Sequence, residues 1–264
     1  MRYSRLKWLV VVVVVVSTRC ASAPLPEGVL PADGQFELAV GLFEDRNFQD
    51  ALRALQTFTF NYPQDNRVAE AEWMVAEASF AVEDWATSAQ EHLTFQRSHP
   101  RHERAAMSLA RAAEAYEKLS LRPELDQRDT ERAINVYERI LQEYPGTEQA
   151  VEARERRQRL RSKLAEKAFL NAKFYFKNEF YDAAEIYVTD LIANFPDTDW
   201  MPAALSLLGE VFCWQGLSDR ATEAYITLES AFPDSEAARS IPDELPATCR
   251  PAPVDADDGG GDDR

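Results

Sequence analysis

Three cysteines and three histidines supply most of the soft or nucleophilic side chains in this 264-residue chain. His99 and His102 flank Pro100 and Arg101 in what reads as a turn, and His92 stands apart. A metal site there would need a third ligand and rigid placement, and the surrounding sequence offers neither. No Gly-rich phosphate loop, His-Glu-x-x-His or Gly-x-Ser-x-Gly occurs, and the many carboxylates show no pairing beyond what surface helices supply. The chemistry points away from an enzyme, a cofactor or a bound metal and toward binding by surface.

Cys20 offers a different chemistry. Arg2, Arg5 and Lys7 precede an apolar run from Trp8 to Val16, nine residues long, with small or polar residues after it. That is an export signal, too short to cross a bilayer as a mature helix. Cys20, followed by Ala21 and Ser22, stands where a bacterial lipoprotein carries its acylated cysteine, although Ser17 and Arg19 hold the places of the usual aliphatic and small residues. Acyl chains such as palmitate, at ~0.8 kcal/mol per buried methylene, would hold the protein on a membrane. Ordinary cleavage after Ala21-Ser22-Ala23 is the competing reading, disfavoured by Pro24. Export to an oxidising compartment permits a disulfide between Cys213 and Cys249; against it, Cys213 sits in a helical pattern where a thiol can be a small core residue.

The elements around these residues follow from composition and period. Five Trp, nine Tyr and 14 Phe can fill a sizeable core, and a net charge of -16 repels a phosphate backbone, which excludes nucleic acid as a partner. Between Phe36 and Phe232 there are four Gly, and apolar residues recur at three and four positions; the body is all-α. Residues 1–20 read as signal peptide, 21–35 as a Pro-rich tether and 239–264 as a disordered acidic tail.

An aromatic-Pro or similar pair returns at Tyr62-Pro63, His99-Pro100, Tyr144-Pro145, Phe195-Pro196 and Phe232-Pro233, and each Pro ends a two-helix unit. Twelve residues before each Pro stand Ala51, Ser88, Ala133, Ala184 and Ala221. Eight before stand Leu55, His92, Tyr137, Val188 and Tyr225, and five before stand Phe58, Phe95, Ile140, Leu191 and Leu228. Small, large, large on one face is the pattern of the second helix of a tetratricopeptide repeat. First helices agree at Leu38-Ala39, Val75-Ala76 and Leu208-Gly209, where Gly209 takes the tightest packing position. The expected fold is a right-handed superhelical array of five such hairpins. Three lie in 36–147 and two in 148–238, with a long inter-helix loop over Leu121–Asp129 and a long linking helix over Glu148–Asn178.

The stretch Asp126 to Thr147, the long helix with Leu164-Ala165-Glu166 and Ala172-Lys-Phe-Tyr-Phe176, then Tyr181-Asp-Ala-Ala184, Phe195-Pro-Asp-Thr198 and Ala204-Leu-Ser-Leu-Leu-Gly-Glu210, resemble the BamD family. These are the tetratricopeptide lipoproteins of the bacterial machinery that assembles outer-membrane β-barrels. The resemblance spans roughly residues 36 to 238. It implies an outer-membrane lipoprotein facing the periplasm. Its C-terminal repeats would dock the barrel-forming core subunit beside other assembly lipoproteins, and its N-terminal repeats would meet unfolded barrel proteins. A periplasmic scaffold for cell division or wall synthesis shares the repeats and stays open as the alternative.

In such an array first-helix positions two, five, nine and twelve line the inner wall. The count gives Phe36, Val40 and Phe43, then Glu70, Trp73, Glu77 and Phe80, as a substrate groove in which four aromatics converge. In the C-terminal half it gives Phe169, Lys173, Phe176, Ser206 and Glu210, with Cys213, as a partner-docking surface. Arg154 to Arg161 is the one basic cluster, read as either an acidic-partner surface or a solvated helix face.

Overall fold

The computed structural model describes residues 30–240 and Cys249. Cys20, the export signal and most of the tether and tail lie outside the described residues. Among the described residues, ten helices form five antiparallel pairs: α1 (Ala32–Glu44) with α2 (Phe48–Asn61), α3 (Val68–Ala81) with α4 (Trp85–Ser98), α5 (Ala105–Leu119) with α6 (Arg128–Glu143), α7 (Glu148–Lys177) with α8 (Tyr181–Asn194), and α9 (Met201–Trp214) with α10 (Ser218–Ala231). A short α11 (Glu236–Arg239) follows, and no strand occurs among the described residues. Each helix packs on the next in sequence, and α1 touches α3, α5 touches α7 and α7 touches α9, so the hairpins stack in chain order.

The proline register is the reason for these boundaries. All five residues preceding the unit-ending prolines adopt one conformation, φ from -127 to -137 and ψ from 44 to 57. Proline disfavours the helical region for its predecessor, so every second helix stops there. The three rows counted back from those prolines are the core: every residue in them is between 0% and 1% exposed. Ser88 fits the small row by donating its hydroxyl to the Ala76 carbonyl at 3.0 Å.

Four hairpins close with one turn. Arg46, Glu83, Glu179 and Gly216 have φ of 60, 64, 64 and 77, and the next residue's N–H reaches back to Leu42, Ser79, Tyr175 and Phe212. This left-handed cap suits Gly and costs other residues about 1–2 kcal/mol. Gly at position 46, 83 or 179 is therefore expected to stabilise the protein by about 0.5–1 kcal/mol each after the entropy Gly adds to the unfolded chain, measured as a higher urea midpoint. Gly216→Ala is expected to lower it.

The third hairpin departs as its length demands. Gln127 is buried and its amide donates to the carbonyls of Arg122 (2.7 Å) and Leu125 (3.2 Å), while its oxygen accepts from Thr130 (2.7 Å). Lys163 on α7 bonds Ser120 at 2.7 Å and ties the loop to the linking helix. That helix is one 30-residue element begun by Thr147, whose hydroxyl accepts from the Ala150 N–H.

Two boundaries differ from the composition-based reading. The tether ends earlier, because α1 begins at Ala32 and Gln35 is buried, donating to the Ala54 carbonyl at 3.2 Å, while the Tyr62 hydroxyl bonds the Leu30 carbonyl. Within the segment read as a solvated tail, Cys249 is buried against Leu205, Phe212, Tyr225 and Leu228. A small apolar thiol gains more among these side chains than in water.

Candidate functional site

The first helices of the N-terminal hairpins carry the expected groove residues, and three of their rings pack within their own hairpins. Phe36 lies 5.1 Å from Phe58, Phe43 lies 5.4 Å from Phe48 and Phe80 lies 4.8 Å from Trp85, each ring leaning on the second helix of its own hairpin. Val40 packs on the same cluster and Glu70 is exposed. Guanidinium groups from the following unit lie over three of the rings: Arg67 over Phe36 at 4.9 Å, Arg104 over Trp73 at 4.4 Å and Arg111 over Phe80 at 4.8 Å. The four rings are half-buried, and three of them carry a cationic cover. The physical reason is that an uncovered aromatic face still gains from its own hairpin and from a nearby cation.

These covers obey the proline register, a signal that counting within single helices misses. Arg67 and Arg104 stand four residues after Pro63 and Pro100, and each covers the aromatic fifteen residues before the small row, Phe36 or Trp73. In the fourth unit the same two positions are Trp200 and Phe169, 5.1 Å apart. In the last unit they are Ala237 and Ser206. No large side chain fills the place, and a cavity of about 640 Å3 opens between α7, α9 and α11.

All five residues assigned to partner docking, Phe169, Lys173, Phe176, Ser206 and Glu210, line this cavity. Phe169, Phe176, Pro202, Ala203 and Leu207 supply apolar wall, Lys177, Asp199 and Glu236 add charge, and the Lys173 ammonium lies 5.8 Å from the Phe169 ring centre. Burial raises the Glu210 carboxyl above the usual carboxylate range, and nearby Lys173 opposes that. The arrangement suits a polypeptide segment with an apolar side chain and a polar or charged neighbour.

Three arginines of the basic cluster reach neighbouring elements, while Arg154, Arg157 and Arg159 line one open concavity with Lys163. Arg156 lies 3.5 Å from Glu117 on α5, Arg157 lies 3.8 Å from Glu138 on α6, and Arg161 bonds Asp197 and the Asn194 carbonyl beyond α8. These residues join the linking helix to both halves of the array. Arg154 and Arg159 are exposed, with no ion pair among the described residues.

The histidines each contact neighbouring side chains or backbone. His99 bonds Glu72 at 2.7 Å, and His102 accepts from the Arg104 N–H at 3.1 Å while its ring meets Phe95. His92 is fully buried beside Ser108 at 2.9 Å, with Glu77 3.4 Å from its other nitrogen. Glu77 is held by both arms of Arg111, at 3.0 and 3.2 Å. Among the described residues no group of three or more His, Cys, Asp or Glu is placed to hold a metal ion.

Residues 31–228, from the start of α1 into α10, match the family model described as YfiO, outer membrane lipoprotein. The chain belongs to the YfiO family. A relative, the outer membrane protein assembly factor BamD of Vibrio cholerae serotype O1, is 23% identical over 210 residues, covering 76% of this chain and 87% of that protein. Similar solved structures include the TPR2AB domain of yeast Sti1 (18% identity, TM-score 0.39, covering 78% of this chain and 80% of that one). A thermophilic tetratricopeptide protein of Thermus thermophilus is also similar (19% identity, TM-score 0.34, covering 79% and 95%). YfiO membership associates the chain with the outer membrane, and no helix among the described residues is long and apolar enough to cross a membrane.

Proposed function

We propose that this YfiO-family chain is a non-enzymatic subunit of an outer-membrane protein assembly complex. It is anchored through Cys20 on the periplasmic face, binding unfolded β-barrel polypeptides with its N-terminal hairpins and the barrel-forming core subunit with its C-terminal cavity. The observation that carries the reading is the reach of the family match, which runs through the whole hairpin array. Half-buried aromatic side chains on α1 and α3, three of them beneath arginines that an incoming chain could displace, support that reading.

Co-purification from detergent-solubilised outer membrane, with mass spectrometry for lipid on Cys20, tests the reading. A β-barrel assembly complex is the expected companion; wall-synthesis enzymes in its place would overturn the assignment. For the groove, Trp73→Ala with Phe80→Ala is expected to weaken binding of a barrel-strand peptide at least ~10-fold, the effect of losing a buried aromatic contact. Far-ultraviolet circular dichroism should show helicity retained. Phe60→Ala removes an 85% exposed ring from α2 and should leave binding unchanged.

A further inference from the structure

Among the described residues, α11 and Cys249 pack on the last hairpin. Cys213, near the end of α9, is 6% exposed and Cys249 is 2% exposed; they are 36 residues apart in sequence, and both are thiols in the structure. They share one cluster with Leu205, Phe212, Ala221, Tyr225 and Leu228, against which Ala237 and Ala238 of α11 also pack. The Cys213 sulfur is 3.9 Å from the Cys249 carbonyl oxygen. The Tyr225 hydroxyl in this cluster has no hydrogen-bond partner among the described residues, so apolar packing is what holds the cluster together.

We propose that Cys213 and Cys249 are the site of an oxidative modification, a disulfide that fixes Cys249 against the final described hairpin, beside α11 at the rim of the 640 Å3 cavity. The oxidant is the disulfide of a thiol oxidoreductase in the exported compartment. One cysteine thiolate attacks that disulfide, displacing one donor sulfur as a thiolate and forming a mixed disulfide. The second cysteine thiolate then attacks its partner's sulfur. The Cys213–Cys249 bond forms, and the donor, having taken two electrons, leaves as a dithiol, its two thiolate sulfurs taking up, through solvent, the two protons that the cysteine thiols released. Burial and the neighbouring thiol push Cys213 up to about 12, so the exchange belongs to the stage before Cys249 is buried against α9 and α10. The closed loop spans α10 and α11 and restrains the last of the described hairpins.

The inference needs export but not the assembly role, so the two stand or fall separately. The test is thiol labelling of the full-length protein, purified from exporting cells and denatured without reductant. Peptides bearing Cys213 and Cys249 should be found linked and unlabelled, and each should take one maleimide after reduction. Dithiothreitol should lower Tm by roughly 5–10 °C in the native chain and by nothing in Cys213→Ser or Cys249→Ser, each of which starts at the lower value. Full labelling before reduction, or a Tm that ignores dithiothreitol in the native chain while the serine variants fall, would assign both residues to packing alone and overturn the proposal.

Discussion

Gly209→Ala is expected to open the last hairpin. A methyl built at Gly209 falls 2.5 Å from Cζ and 2.6 Å from Cε1 of Tyr225, distances that carbon atoms do not share. The ring is fully buried among Leu205, Phe212 and Leu228 and has nowhere to go. Overpacking of this kind costs about 1–3 kcal/mol and sometimes more, against about 1 kcal/mol gained from replacing Gly in a helix. A net loss of about 1 kcal/mol, up to about 2, should appear as faster amide exchange in α9 and α10, with α1 to α6 unaffected, since stacked units open locally.

Two comparisons isolate the cause. Gly41 in α1 meets nothing within 4 Å, so Gly41→Ala should stabilise by about 1 kcal/mol from helix propensity alone. In the first unit the equivalent pair is Ala39 with Leu55, both fully buried. Tyr225→Leu in the Gly209→Ala background copies that pair and should recover most of the loss. A Gly209→Ala protein as stable as its parent would show that α9 and α10 are not in the contact described.

The second large effect is acid sensitivity at His92. Burial, with a smaller contribution from Arg111, lowers its pKa from 6.5 to about 3. Between those values the unfolded chain holds a proton that the folded chain does not, so stability falls as pH drops below 6.5, by about 1.4 kcal/mol per unit or about 2 kcal/mol by pH 5. The hydrogen bonding agrees: Ser108 gives its hydroxyl proton to the His92 carbonyl, so Nδ1 donates to Ser108, and Nε2 is left without a partner.

Glu77 acts the other way. Burial raises its carboxyl despite Arg111, so the folded form binds that proton at a higher pH than the unfolded form and recovers stability on acidification. Arg104, Arg111 and Glu114 surround the pair. The clean readout is the difference between the native chain and His92→Gln, which keeps a donor for Ser108 and cannot titrate. Urea midpoints at pH 7 and pH 5 should converge as pH falls; parallel profiles would remove His92 as the source.

Both effects sit where local pattern and three-dimensional contact meet. The unit boundaries, the three buried rows and the 30-residue linking helix were legible because each depends on a local rule: proline ends a helix, and one face repeats every three to four residues. The five cavity residues were legible for the same reason, since they share one register on α7 and α9. Gln127 was not, because a loop staple has no period, and neither was the burial of Cys249 inside an acidic, Pro-rich segment.

The amino-acid order by itself determined that the chain is a stack of helical hairpins, where each second helix stops and which side of it is buried. Only the tertiary structure decided that Arg67 and Arg104 cover the groove rings, that Ser206 and Ala237 leave a cavity, and that Gly209 exists for Tyr225. Helix period acts within a few residues. Contacts between neighbouring helices and units depend on how those helices cross, and that is set by all the side chains between them at once.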